Sequence, residues 1–519
     1  MQKNNFSEPV ILLILDGWGL APDSDSNAIS KARHPNYDYV LQNSSHTRLW
    51  AHGGYVGLLG DQDGNSEAGH LNLGAGRIVK QDPVVVSDAI KDGTFFKNSA
   101  FLQAVQYVKK ENSAMHLMGM LSDGQSAHST PEHLYALLDL MEKEGVKKVF
   151  LHLFSDGRDS SPFGGKKQLR ELYDRMKPNQ KVASLTGRFY AMDRKKEWKR
   201  TEASYNAIVF GEGEKSEDLF ATFEKYYLKG KSDEFFPPHV VCENGAPVGV
   251  VNDNDSIIFF NHRSDRARQL TKVFTQENFH EANEGSFVPK KNLKNIKFVA
   301  MTDFGPELGN AMTAYPTADV KDTLPMILSE KRQVYISEKE KYAHVTYFFN
   351  GGYAEPVNGE DRIMVPSPDV DSYDQDPGMS TPEINAKVLE FLKQEKYDFY
   401  TINFACPDMV GHTGNFEAGK LAVEACDVEI GKLVSQIKTL GGTLVLTADH
   451  GNIEEMKDLA TGEIDTKHSK NQVPFMIWSP NGFDLKLREE GVLGDVAPTI
   501  LDLFGIEKPK SMTGKSLII

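Results

Sequence analysis

Four short apolar runs in this chain end, within a few residues, on an aspartate: "VILLILDG", "VFLHLFSDGRD", which ends near Arg158 and Asp159, "DFYTINFACPD" and "TLVLTADHG". No other feature restricts the fold as much. The runs do not alternate apolar with polar residues, so they do not describe strands with one wet face; both faces must be covered. Helical patterns such as "TPEINAKVLEFLKQEK" and "FEAGKLAVEACDVEIGKLVSQIKTL" lie between them. Buried strands separated by helices specify an α/β fold with a largely parallel sheet.

Ligands of open α/β sheets bind beyond the carboxyl ends of the strands. That rule sets Asp16, Asp408 and the Asp449–His450 pair at such ends. His412 follows Asp408 by four residues in "DMVGH" and shares its face if the segment is helical. His468, in "TKHSKNQVP", precedes another strand, "VPFMIWS". Taken singly these are weak signals, because Asp-Gly is a common turn pair. Three aspartates and three histidines at one sheet edge are not explained by turns. Carboxylate and imidazole without thiolate suit Mn²⁺, Zn²⁺, Co²⁺ or Mg²⁺, and six donors exceed the need of one catalytic ion, which points to two. Ser66 opens a short helical stretch, "SEAGHLNLGAG", after a Gly-Asn turn. Serine is a favoured N-cap, so the local pattern by itself favours capping over chemistry. A nearby pair of cations reverses that preference, since a serine hydroxyl is a poor nucleophile until a metal or base activates it.

Lys and Arg number 58 against 73 Asp and Glu, a formal net charge of −15. A global nucleic-acid binder is excluded on that balance. A small anionic substrate fits only where positive charge is concentrated locally. No apolar run approaches a membrane span, and "VILLIL" is too short for a signal peptide, so a cytoplasmic protein with no membrane partner is expected. Cys242, Cys406 and Cys426 form no C-x-x-C and read as small buried hydrophobes. Two stretches look like hinges, "IVKQDPVVV" and "GNAMTAYPTADVKD". They bracket about 230 residues, enough for a domain of its own. The expected division is a discontinuous outer domain, residues 1–81 and 315–519, and an inserted domain, residues 82–314.

With these motifs in order, the chain resembles the cofactor-independent phosphoglycerate mutases. The resemblance is carried by "DGWG", "GNSEAGHLNLGAGRIV", "SDGRD", "DRARQL", "EKYAHVT", "CPDMVGH", "TADHGN" and "GDVAPTILDLFGIEKPKSMTGKSL", and runs from about Pro9 to Leu517. It implies an α/β phosphatase domain of the alkaline phosphatase superfamily with an inserted α/β transferase domain. It also implies interconversion of 3-phosphoglycerate and 2-phosphoglycerate, with Ser66 carrying the phosphoryl group between the two hydroxyls. By motif position the resemblance assigns Asp16, Ser66, Asp449 and His450 to one metal and Asp408, His412 and His468 to the other, with Mn²⁺ the expected ion. Lys341 matches a lysine near the metals and the phosphoryl group. Arg158, Asp159, Arg188, Arg194, Arg263 and Arg266 match residues that grip the substrate, and His128 matches a substrate histidine. The family reads more like "SDGGVHS" where this chain has "SDGQSAHS", one residue longer.

The substrate carries close to three negative charges. Two divalent ions and Lys341 offset those of the phosphate, and guanidinium forks suit carboxylate and phosphate oxygens. In "RSDRARQL" a helical reading favours Arg263 and Arg266 over Arg268 on the working face. A mutase must also keep water from the phosphoserine, a task for an insert that closes over the site. Asp159 is the carboxylate assigned to proton exchange with the glycerate hydroxyls, and the expected working form is a monomer. Two other readings stay open at this stage: a metal-dependent phosphatase or phosphodiesterase of the same superfamily, and an inactive binding protein on that scaffold.

Overall fold

The run "VILLIL" is the strand Val10–Leu15, buried at every position. Each such Leu or Ile contributes about 1.5–3 kcal/mol by leaving water. The computed structural model describes residues 8–308, 310–316, 319–482 and 485–519. It divides into two compact units, Met1–Gln81 with Ala318–Ile519, and Asp82–Thr317.

In the first unit, Val10–Leu15 lies between Phe399–Phe404 and Thr443–Thr447, parallel to both. The eight strands run in the order Asp361–Val365, Gln333–Glu338, Phe399–Phe404, Val10–Leu15, Thr443–Thr447, Val473–Trp478, Ser45–Trp50, Glu490–Val492. The first five are parallel to one another, and Val473–Trp478 is antiparallel to its neighbour. The start of that antiparallel strand therefore meets the same edge as the carboxyl ends of the parallel ones. The helix Phe416–Leu440 buries Ala422, Val423, Cys426, Ile430, Leu433 and Ile437 in the core. Asn415 caps its start through Ala418 N, and Gly441, in the left-handed conformation, ends it.

The second unit carries its own sheet, in the order Ala311–Tyr315, Lys297–Thr302, Ser256–Phe259, Met115–Leu121, Val149–Ser155, Gln180–Gly187, His239–Glu243, Glu214–Ser216. The strands from Ala311–Tyr315 to Gln180–Gly187 are parallel. The first stretch read as a hinge opens the helix Asp82–Asp92, whose first turn accepts Pro83 because no helical bond is lost there. The second is partly strand: Ala311–Tyr315 pairs with Lys297–Thr302. Its Tyr315 packs on Phe95 and Phe101, and the boundary between the two units falls within the same stretch. Cys242, Cys406 and Cys426 are free and buried, as their bland reading required.

Candidate active site

In the first unit, four adjacent parallel strands each release a candidate residue from their carboxyl ends. Asp16 directly follows Val10–Leu15. Lys341 ends the tight turn Lys339–Lys341 after Gln333–Glu338. Asp408 lies on the short helix Cys406–Gly411, which His412 terminates, after Phe399–Phe404. Asp449 and His450 follow Thr443–Thr447. His468 reaches the edge from the segment that leads into the antiparallel strand Val473–Trp478. Gly17 makes the crowding possible: its φ is +72°, and a Cβ there would lie 2.7 Å from Asp408 Cβ.

Ser66 is the first residue of the helix Ser66–Ala75, and the N-cap is Asn65, whose side chain accepts from Ala68 N at 2.9 Å. The capping role that the local pattern favoured for Ser66 belongs to its neighbour, and the serine hydroxyl is left for other partners. Gly69 brings this helix against the strand end, since a Cβ there would lie 2.6 Å from Asp449 O.

The polar contacts are short and interlocked. Lys341 Nζ donates to Asp16 Oδ1 at 2.6 Å, Asp408 Oδ2 at 2.6 Å and Ser66 Oγ at 2.7 Å. Ser66 Oγ also lies 2.9 Å from His450 Nε2 and 3.4 Å from Asp16 Oδ1. Asp408 Oδ1 is 3.4 Å from His412 Nε2 and 3.3 Å from His468 Nε2. Asp16, Asp408 and Asp449 are all buried, as is Lys341. The structure thus brings together Asp16, Ser66, Lys341, Asp408, His412, Asp449, His450 and His468.

Three imidazoles face main-chain carbonyls through Nδ1: His412 at Thr466 O (2.8 Å), His468 at Gly64 O (2.7 Å) and His450 at Gly451 O (3.2 Å). A carbonyl only accepts, so each Nδ1 carries the hydrogen, and a ring so oriented offers Nε2 to a ligand on the other side. The Nε2 atoms of His412 and His468 are 3.0 Å apart. With Asp408 Oδ1 within 3.4 Å of both, the two nitrogens and the carboxylate oxygen form a donor set that would suit a cation. The charge points the same way: three buried carboxylates face one ammonium. Burial and the charge of Asp449 push the Asp16 carboxyl up to about 6, against the pull of Lys341. Burial disfavours the Lys341 ammonium, but Asp16 and Asp408 outweigh it and hold the group charged. The donor set fits divalent cations. Asp408, His412 and His468 form one possible group, and Asp16, Asp408 and His450 another.

A third group, Asp16, His70 and Asp449, contains a residue that the sequence reading missed. His70 Nδ1 is 3.2 Å from Asp449 Oδ2, and its Nε2 is 3.0 Å from Asn403 Nδ2, which also donates to Asp16 Oδ2 at 2.7 Å. Its i, i+4 spacing from Ser66 on one helix was the available signal. Asn452 Nδ2, which donates to Asp408 Oδ1 at 2.8 Å, was legible only as the residue after "DHG".

The second unit gathers the remaining candidates at the carboxyl ends of four neighbouring strands. His128 lies after Met115–Leu121, Arg158 and Asp159 after Val149–Ser155, Arg188 and Arg194 after Gln180–Gly187, and Arg263 and Arg266 after Ser256–Phe259. Arg188 Nη1 bridges Asp156 Oδ1 (2.5 Å) and Asp159 Oδ2 (2.7 Å). Asp156, unremarked in the sequence, also accepts from the backbone of Arg158, Asp159 and Ser160, and so shapes the whole "DGRD" turn. Arg194 pairs with Asp265 at 2.6 Å, and Arg266 donates to Met192 O at 3.1 Å. Arg158 stands furthest out, paired with Glu234 at 3.3 Å. Burial, then repulsion from Arg188 and Arg194, pulls the Arg266 pKa down. Arg268 faces elsewhere, donating to Phe304 O at 2.7 Å. His128 is buried with no partner on Nδ1, and burial with Arg188 nearby pushes its pKa down to about 4, leaving a neutral ring.

Fold and site together define a metal-dependent phosphoryl-transfer enzyme with an alkaline-phosphatase-like core. Residues 86–306 match the family described as BPG-independent PGAM N-terminus, and residues 299–504 match type I phosphodiesterase / nucleotide pyrophosphatase. The chain is 45% identical to the 2,3-bisphosphoglycerate-independent phosphoglycerate mutase of Clostridium botulinum, covering 98% of this chain and 99% of that one. It is 46% identical to that of Moorella thermoacetica, covering 99% of each. The chain belongs to the 2,3-bisphosphoglycerate-independent phosphoglycerate mutases and is an isomerase. Its fold is similar to a crystal structure of Leishmania mexicana phosphoglycerate mutase at low cobalt concentration, with a TM-score of 0.74, 28% identity, and coverage of 100% of this chain and 99% of that one.

Proposed function

We propose that the isomerisation of 3-phosphoglycerate to 2-phosphoglycerate proceeds through phosphorylated Ser66. The observation that carries this reading is the Ser66 hydroxyl itself, 2.7 Å from a buried ammonium and aimed away from any capping role. Lys341 stabilises negative charge on Oγ as it attacks phosphorus. The Oγ–P bond forms as the bond from phosphorus to the C3 oxygen breaks, and the proton released by the Ser66 hydroxyl passes to that oxygen. The C2 hydroxyl then gives its proton to the Asp159 carboxylate and attacks phosphoserine, and that proton passes on to the departing Oγ, which restores free Ser66. Asp159 is thus the carboxylate that exchanges protons with the glycerate hydroxyls. Arg158, Arg188, Arg194, Arg263, Arg266 and His128 bind the glycerate carboxylate and the phosphate oxygens.

Two divalent cations, Mn²⁺ in this reading, are held by Asp408, His412 and His468, and by Asp16, Ser66, Asp449 and His450. When bound, they neutralise phosphoryl oxygens and lower the pKa of the serine hydroxyl. Residues 82–314 serve as the substrate-binding domain and residues 1–81 with 315–519 as the metal-binding domain. The working form is a monomer, since both side-chain clusters come from one chain, and its place is the cytoplasm, where its small-molecule substrate is made and used. Among the described residues no helix is long and apolar enough to cross a membrane.

The test is incubation with 3-phosphoglycerate and Mn²⁺, without bisphosphoglycerate, followed by ³¹P NMR and by mass spectrometry of trapped enzyme. The expected result is 2-phosphoglycerate with phosphate on the Ser66 peptide, and no isomerisation by S66A. Free phosphate as sole product, or the modification on another residue, rejects the reading.

A further inference from the structure

The loop that departs from the family pattern gives Ser126 two bonds. Its Oγ donates to Asp159 Oδ2 at 2.6 Å and accepts from the backbone N–H of His128 at 3.2 Å. Arg188 donates to the same carboxylate oxygen at 2.7 Å. Both bonds fall on Oδ2 and neither on Oδ1, and the Asp159 side chain is 32% exposed while Ser126 is buried. The loop contains two local turns, Gly124 N on Ser122 Oγ and Gln125 N on Asp123 Oδ1. Gly124 sits at φ +91°, a conformation that favours glycine.

We infer that Ser126 is a positioning residue for the isomerisation: it fixes Asp159 through Oδ2, turns Oδ1 toward the glycerate hydroxyls, and ties that carboxylate to the backbone of His128. This rests on the proton-carrying role proposed above for Asp159. A carboxylate held by one bond to a long side chain rotates about its terminal torsion; a second bond from a short, buried hydroxyl removes that freedom. The same bond sets the proton affinity. Burial raises the Asp159 pKa, but the bonds from Ser126 and Arg188 outweigh it and the net direction is down. The groups facing Asp159 are Arg188 from the turn after Gln180–Gly187, Asp156 beyond that guanidinium, and the neutral His128 ring from the Ser126 loop. Without the serine hydroxyl the carboxylate both wanders and holds its proton more tightly.

The experiment compares S126A, S126T and D159N with the native enzyme at saturating Mn²⁺, recording kcat and KM from pH 6 to 9 and the thermal midpoint. A hydrogen bond to a charged group is worth enough to lower kcat/KM about tenfold when lost. S126A is expected to show that fall near pH 7, in kcat with KM little changed, and the thermal midpoint unchanged. S126T keeps the hydroxyl and is expected to recover most of the loss. Should S126A be too unstable to assay, S126C, close in size and a weak donor, must show the same fall in kcat. A profile for S126A that superimposes on the native one, or S126T no better than S126A, overturns the inference. Native turnover by D159N instead removes the proton-carrying role of Asp159, and with it the basis for assigning Ser126.

Discussion

Replacing Lys341 by methionine keeps a side chain of similar length and removes the only ammonium among Asp16, Asp408 and Ser66. At 2.6 Å, each of the two ion pairs has a gross Coulomb energy of about 6 kcal/mol at an effective dielectric of 20. Much of that offsets the cost of burying the charges, and breaking such a pair from one side costs about 3–5 kcal/mol. K341M should therefore be strongly destabilised when metal-free, and Mn²⁺ should restore part of the loss by supplying positive charge to the same carboxylates. The catalytic loss is separate. Lys341 donates to Ser66 Oγ at 2.7 Å, and a donor to a developing oxyanion is worth about 10²–10³ in kcat. The assays are conversion of 3- to 2-phosphoglycerate at saturating Mn²⁺ and thermal unfolding with and without the ion. A kcat within about threefold of native, or a metal-free thermal midpoint equal to native, would refute the placement of Lys341 as the partner of both carboxylates and hydroxyl.

Arg188→Met should lower kcat/KM by about 10–100-fold, because it removes the nitrogen that bridges Asp156 and Asp159 and leaves both carboxylates without that donor; an unchanged KM and kcat would contradict this. Chelation should abolish turnover, with Mn²⁺ restoring it and, at about 100 times its Kd, adding about 2.7 kcal/mol to the unfolding free energy; full activity in excess chelator would count against a metal requirement. Asp233 is buried, and burial raises its pKa to about 6 although Tyr227 and Gly165 N donate to it. A folded pKa above the unfolded 3.8 means the native state binds the extra proton, so this group's stabilisation is full below about pH 4 and is lost as pH rises through about 6. D233N keeps an acceptor for Gly165 and should lose that slope; urea midpoints of the two proteins falling in parallel from pH 4 to 7 would show that Asp233 is not its source.

The sheet of the first unit was legible from its central strands, which are wet on neither face, and period-free runs such as "VILLIL" have few alternatives in a chain of this size. The strand-end aspartates followed from the same pattern. His412 was legible because helical spacing carries it back to Asp408. His70 was not, since a histidine one turn along the Ser66 helix reads as an ordinary packed residue until Asp449 is seen beside it. Ser66 was misread locally because Asn65 and Ser66 are both good caps, and the backbone chose the first. Asp156 escaped notice for a similar reason: of the two aspartates around "GR", the buried one organises the turn and leaves no composition signal. The strand Ala311–Tyr315 was hidden because its partners, Phe95 and Phe101, lie over 200 positions earlier.

The three imidazoles over the carboxylates are each oriented by a peptide oxygen, at Thr466, Gly64 and Gly451. An oxygen of the main chain is present whatever residue stands there. Position 466 is therefore free to change identity through evolution without altering which ring nitrogen of His412 is exposed. What it cannot tolerate is a change in the path of the chain. A one-residue deletion between Asp465 and His468 should disable the centre more completely than any replacement of Thr466, so in this segment length, rather than chemistry, is the inherited quantity.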